Sequence, residues 1–213
     1  MHKENGLKIL KYKKKKFIYL ISPIKIKESF YEDLISILSQ KKVHFFQLRL
    51  KKENFQNKFL IGKKIKKICK KFNVKFLVND DVYLTKKLDA DGCHLGQKDM
   101  NIIKARKLIK DKIIGITCHN SIKLVKIALK NKADYLALGA FNSSKTKKAK
   151  YRASINLLNR VKKITKTPVV AIGGINSDNY KKLLLNKANF LAISGYIWNN
   201  KELKPLQAVK KLK

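Results

Sequence analysis

The chain has 213 residues, which suits one domain, and 45% of them are hydrophobic, too many for a disordered chain. Its 51 Lys+Arg against 14 Asp+Glu give a net charge of +37, which would attract polyanions. The basic residues are nearly all Lys and run along the whole chain, with no zinc-finger spacing, RNP-like aromatic motif or basic heptad region, so a solvated basic surface is favoured over a dedicated nucleic-acid module.

Residues 1–16 form a basic extension. Lys11–Lys16 precede the apolar run Phe17–Ile21, an arrangement with the look of a signal peptide. The run is brief, lacks a small-residue cleavage site and leads into Pro23, so it reads as the first strand. No run reaches the roughly 20 apolar residues of a membrane helix. Further β-rich runs follow at Val43–Arg49, Val74–Asn79, Gly92–Leu95, Ile113–Thr117, Tyr135–Gly139, Pro168–Ile172 and Phe190–Ser194. Between them lie Lys-rich stretches of helical period, such as Phe59, Ile61, Ile65, Ile68 and Phe72, then Leu124, Ile127 and Ala128, then Ile155, Leu158 and Val161. Cys69, Cys93 and Cys118 are odd in number and form no CxxC, which fits reduced cytosolic thiols and a cytoplasmic location.

Eight strands alternating with helices imply parallel strands joined by crossover helices. Near-continuous apolar strands fit a sheet covered on both faces. The reading is a single-domain α/β chain over 1–213, a (β/α)8 TIM barrel, with an open doubly wound sheet second. In a barrel the chemistry belongs at the C-terminal strand ends, and the polar residues gather there.

Asp80 and Asp99 follow consecutive strands, which lie about 4.8 Å apart, so their carboxylates could share one cation. Mg²⁺ favours hard oxygen ligands and commonly takes only one or two carboxylates. A helix cap or loop turn is the alternative for either, and Asp81 reads as a cap. Gln47, Arg49 and Lys51 alternate on an extended stretch and share a face. A guanidinium fork beside an ammonium suits a diphosphate. Ser144, Lys145, Thr146 and Lys147 offer hydroxyl and ammonium donors to an anion, or form an ordinary polar loop. Gly173 and Gly174 would let backbone N–H groups approach a ligand. Ser194 and Gly195 start a helix, where phosphate is favoured. His94 and His44 read as structural, and Cys118 and His119, adjacent on a strand, would point apart and make a poor nucleophile pair.

These pieces, in this order, resemble the thiamine phosphate synthase family. The resemblance runs from about residue 17 to 200 and is carried by Gln47-Leu-Arg-Leu-Lys51, Val78-Asn-Asp-Asp81, Ala90-Asp-Gly-Cys-His-Leu-Gly-Gln-Lys-Asp99, Gly115-Ile-Thr-Cys-His119, Ala133-Asp-Tyr135 through Lys147, Val170–Ile175 and Ile193-Ser194. It implies a Mg²⁺-dependent transferase joining hydroxymethylpyrimidine diphosphate to hydroxyethylthiazole phosphate. It further implies that Arg49, Lys51 and Asn79 bind the diphosphate, with Thr117 and Lys147 touching it too. Asp80 and Asp99 would hold Mg²⁺, and Gln47 would contact the pyrimidine. Ser144, Thr146, Gly174, Ile193 and Ser194 would seat the thiazole phosphate. Arg49, Lys51, Thr117 and Lys147 would be the catalytic set, and the partners would be small molecules, with no membrane.

The chain departs from the family pattern at Leu50, where a glutamate is usual, and at Thr117 and Ser144, which exchange one hydroxyl residue for another. Ala140–Ser143 lacks the usual prolines. The competing readings are a thiazole tautomerase-like relative on the same barrel and a non-catalytic barrel that binds phosphate ligands or polyanions. Ser143–Tyr151 is the candidate closing loop.

Overall fold

The computed structural model describes residues 16–143 and 150–213. Residues 1–15, and with them nearly all of the basic extension, lie outside that range, as do Ser144–Ala149. Eight strands, β1 (Ile18–Ile21), β2 (Val43–Leu48), β3 (Lys75–Asn79), β4 (Gly92–Leu95), β5 (Ile113–His119), β6 (Tyr135–Gly139), β7 (Val169–Ile172) and β8 (Phe190–Ile193), pair in sequence order. All neighbours are parallel, and β8 returns to β1, closing the barrel. The crossovers are α1 (Phe30–Leu38), α2 (Phe55–Lys71), α3 (Val82–Lys87), α4 (Ile102–Ile109), α5 (Ile122–Lys130), α6 (Ile155–Ile164) and α7 (Tyr180–Leu185). A single turn, α8 (Gly195–Trp198), and α9 (Pro205–Lys211) follow the last strand.

The strands have two apolar faces because both are buried. Outward-facing Ile18, Leu20, Phe46, Leu48, Phe76, Val78, Leu136 and Leu138 join the helices in the larger core. The alternate residues Tyr19, Ile21, Phe45, Leu77, Tyr135, Ala137, Val170 and Ala192 fill the barrel. Phe45 sits among the rings of Tyr19 (centroids 5.3 Å), Phe190 (5.0 Å) and Tyr135 (5.7 Å). The three cysteines are free and buried, and burial pushes the Cys93 and Cys118 thiols up to about 12. The buried face of one helix differs from the expected one. Ile127 was expected on the buried face of α5, but it is exposed; the seam against the sheet runs along Val125 and Ala128. Two residues on a short helix can follow either stripe, and β-strand contacts decide between them.

A repeated latch holds the N-terminal face. Ala90-Asp91, Ala133-Asp134 and Ala188-Asn189 each precede an even-numbered strand. Each Asx side chain accepts the N–H of the neighbouring odd-numbered strand: Asp91 from Phe76 (2.9 Å), Asp134 from Ile114 (2.8 Å), Asn189 from Val169 (2.8 Å). A cation steadies each one, namely Lys75, Arg106 and Lys162. Asp134→Ala orphans the N–H of Ile114, a fully buried residue, and removes the carboxylate partner of Arg106, which keeps its bonds to backbone carbonyls. The expected loss is about 1–3 kcal/mol of stability, read as a lower urea midpoint at unchanged m-value.

Candidate active site

The C-terminal strand ends converge as a barrel requires, and the β3 and β4 ends carry the carboxylates. Asn79 ends β3 opposite His94. The next residue, Asp80, donates its N–H to the His94 carbonyl at 2.8 Å and adopts φ +64°, a left-handed turn that aspartate tolerates better than most residues. That turn separates two neighbouring acids. Asp81 caps α3, accepting the Leu84 N–H at 2.9 Å, and pairs with Lys58 at 3.3 Å. Asp80 is left for the barrel mouth, where its Oδ2 lies 3.0 Å from Lys51 Nζ and its carboxyl meets that of Asp99. Asp99 is held from behind by the Gly96 N–H at 2.6 Å.

The pair is electrostatically unequal. Burial works to raise Asp80, but its bonds to Asp99 and Lys51 bring it below the usual carboxylate range. Burial raises Asp99, and the neighbouring Asp80 raises it further. Two carboxyls in contact, with one ammonium beside them, present hard oxygens with unspent negative charge. That donor set fits Mg²⁺, whose other positions water and phosphate oxygens commonly fill. Among the described residues no group of three or more His, Cys, Asp or Glu side chains forms a cation site.

Leu50 is buried in the larger core, while Lys51 reaches Asp80 at the mouth. Arg49 is tied through its backbone N–H to Ser22 Oγ (2.9 Å), and Ser194 Oγ reaches the Ser22 carbonyl (3.2 Å). Ser22 thus gathers the ends of β1, β2 and β8. Ser194 also stands at the N-cap position of α8 without a side-chain capping bond, and the first N–H groups of that turn have no partner inside the helix. Ile193 buries its side chain in the outer core, so only its backbone can face the mouth. Gly173 (φ +108°) and Gly174 (φ +55°) are needed for conformation and for room. A Cβ on Gly174 would lie 2.2 Å from the Ser143 carbonyl oxygen. Ser144, Thr146 and Lys147 lie outside the described residues, as does most of the expected closing loop. Its ends are clasped by Ala140 bonding Tyr151 and Ala153, and by Arg152 reaching Ser143 Oγ at 2.9 Å. His119, with φ +51°, stacks on Tyr151 at 4.2 Å, while Cys118 is buried behind it, so the two do not form a nucleophile pair.

What the sequence reading missed lies beneath the mouth. Gln47 Nε2 donates to the Tyr19 hydroxyl (2.7 Å), which meets the Tyr135 hydroxyl (2.7 Å). Tyr135 in turn meets His94 Nδ1 (2.8 Å), and His94 Nε2 meets Thr117 Oγ1 (2.8 Å). This chain crosses the barrel from β2 to β5. The only advance signal was the presence of polar or hydroxyl-bearing residues within the strand runs of β1, β2, β4, β5 and β6. Burial, opposed by the Asp80 charge, holds His94 down at about 4, so the imidazole is neutral. An unfolded chain takes up that proton near pH 6.5, before the folded one does. Stability from this residue is therefore complete above about pH 6.5 and lost as pH falls to about 4, a total of about 3 kcal/mol. Urea midpoints should fall across that window, with His44, also held low by burial, adding to the slope. His94→Asn should flatten the profile; an unchanged slope would show that His94 does not enter the fold neutral.

The chain matches the family model described as thiamine monophosphate synthase over residues 18–197. A thiamine-phosphate synthase of Pelagibacter ubique is 69% identical over 200 residues, 93% of this chain and 97% of that one. One from Erythrobacter litoralis is 37% identical over 196 residues, 90% and 92% of the two chains. Among solved structures, thiamine phosphate pyrophosphorylase from Pyrococcus furiosus superposes with a TM-score of 0.82 at 27% identity, covering 92% of this chain and 93% of that one. A 3-hexulose-6-phosphate synthase at 15% identity and TM-score 0.62 shares the fold.

Proposed function

The chain belongs to the thiamine monophosphate synthase family and its activity is that of a thiamine-phosphate synthase, a transferase of thiamine biosynthesis; from this we propose how its own residues carry out the reaction. The substrates are hydroxymethylpyrimidine diphosphate and hydroxyethylthiazole phosphate, and the products are thiamine phosphate and diphosphate. The observation that carries the reading is the meeting of Asp80, Asp99 and Lys51 at one side of the barrel mouth, across from the Gly174 and Ser194 ends of β7 and β8.

Arg49, Lys51 and Asn79 bind the diphosphate, joined by Thr117 and Lys147. Asp80 and Asp99 hold Mg²⁺, which would offset negative charge gathering on the leaving diphosphate. Gln47 orients the pyrimidine. Gly174, Ile193 and Ser194, with Ser144 and Thr146, seat the thiazole phosphate on backbone N–H and hydroxyl donors. The carbon–oxygen bond of the pyrimidine methylene breaks with its electron pair going to diphosphate. The thiazole nitrogen then donates its lone pair to that carbon, and no proton needs to move. The side chains therefore act by charge, orientation and exclusion of water, and a nucleophilic triad is unnecessary. Among the described residues no helix is long and apolar enough to cross a membrane. Free, buried thiols support the cytoplasm as the site of action.

The test supplies both substrates and Mg²⁺ to the purified protein and follows thiamine phosphate and diphosphate together. Both should form in equal amounts and stop with EDTA. Folded protein that forms neither product over a range of Mg²⁺ would overturn this assignment of substrates and metal.

A further inference from the structure

The hydrogen-bond chain inside the barrel has a direction. Gln47 Nε2 can only donate, so the Tyr19 hydroxyl oxygen accepts from it at 2.7 Å. The Tyr19 hydroxyl is buried and its only other partner is Tyr135, also at 2.7 Å, so donating there is what spares its proton from being left without an acceptor. Tyr135, having accepted, donates to His94 Nδ1 at 2.8 Å. A neutral imidazole that accepts at Nδ1 carries its proton on Nε2, and that nitrogen points at Thr117 Oγ1, 2.8 Å away. Thr117 is thereby an acceptor on its inner side, and its own hydroxyl proton is free to donate outward. At the other end, the amide nitrogen of Gln47 is committed, which leaves Oε1, unpartnered among the described residues, as an acceptor.

The geometry points to Tyr19, Tyr135 and His94 as positioning residues that set hydrogen-bond polarity at both ends of the chain, making Thr117 a donor to the diphosphate and Gln47 an acceptor for a donor on the pyrimidine edge. Tyr19 and Tyr135 lie buried beneath the mouth, and His94 acts through Thr117. Tyr19 and Tyr135 are each 1% exposed, so no solvent is at hand to redirect the link between them. The chain could reverse only if the Gln47 amide flipped and every proton shifted one partner along. Thr117 would then donate inward and turn lone pairs toward an anion, which can only accept. An anion at Thr117 and the observed Gln47 orientation therefore favour the same polarity, although they sit at opposite ends of the chain.

This inference rests on Gln47 and Thr117 being the substrate-facing groups proposed above, so its test separates the two. The ring ¹⁵N shifts of His94, read in the full chain without substrate, should show the proton on Nε2. Tyr19→Phe leaves the Tyr135–His94–Thr117 links in place. It should keep that tautomer and raise KM for the pyrimidine diphosphate about 10-fold at little change in kcat. Tyr135→Phe removes the donor to Nδ1. It should mix the tautomers and lower kcat about 10- to 100-fold, the scale of losing a hydrogen-bonding support behind a reactive group. A proton on Nδ1 in the unaltered protein overturns the assigned direction, whether or not Tyr135→Phe folds. The Nε2–H tautomer with unchanged kinetics in both variants overturns the positioning role. Failure of the underlying site assignment would show elsewhere, as unchanged kinetics in Gln47→Ala and Thr117→Val.

Discussion

Asp80→Asn should lower kcat about 10²- to 10³-fold at saturating Mg²⁺, the scale of removing one group that stabilises charge in a transition state. Asparagine is the informative replacement because Asp80 sits at φ +64°. Alanine there would add backbone strain of about 1–2 kcal/mol and blur the result. Asparagine tolerates the same turn, keeps the N–H bond to His94 and removes the charge, exchanging one acceptor oxygen for an N–H₂ donor. The consequences reach both neighbours. Lys51 loses its carboxylate partner at 3.0 Å. Asp99 loses the like charge that helps raise it, so its carboxyl should fall toward the ordinary range. Asp99→Asn should cost a similar factor, and the double variant much less than the product of the two, because both act through one cation. Each single variant should also need more Mg²⁺ for half-maximal rate. A variant that kept its kcat and its Mg²⁺ dependence would remove the carboxylate from the metal site and leave it as a partner for Lys51. The +37 charge gives the experiment a second reading, since a barrel that merely bound polyanions would bind them better after losing an acid.

The barrel was legible because its eight strands are short, apolar and separated by Lys-rich helical stretches, and their limits differ from the expected ones by at most two residues. Strand ends carry chemistry in this fold, so Asp80, Asp99 and Lys51 could be expected together, and the structure brings them together. Asp81 could be separated from Asp80 as a cap because a helix must start there. The interior chain was not legible for the reason that made the strands easy to find. When both faces of a strand are buried, an apolar run gives no alternation to say which residues point inward. Tyr19 and Tyr135 therefore stand unmarked within their strand runs, and His94 reads as a barrel or structural histidine. The Ala-Asx pairs before β4, β6 and β8 did leave a trace, a repeated dipeptide, but its meaning needed the register between neighbouring strands.

Gly115→Ala should inactivate the enzyme more thoroughly than any single deletion in the interior chain, although it adds one methyl group far from charge. The added Cβ would lie 1.8 Å from Tyr135 Cζ and within 2.3 Å of both Cε atoms. The ring has nowhere to go. It is stacked on His94 at 5.6 Å, packed on Phe45 at 5.7 Å and bound through its hydroxyl to Tyr19 and His94. Overpacking of this kind costs about 1–3 kcal/mol or more. The displaced hydroxyl breaks the chain at its middle link, and a shift of about 1 Å near reacting groups can cost about 10²-fold in rate. Stability and activity can be separated by a second change. Tyr135→Leu in the Gly115→Ala background removes the ring that clashes. The denaturation midpoint should recover toward that of Tyr135→Leu alone, so the two substitutions should be far from additive. Activity should stay low, because leucine restores space but no donor for His94. Recovery of both properties would mean that the ring, as filler, was all the site required. Recovery of stability alone would assign the loss of activity to the hydroxyl.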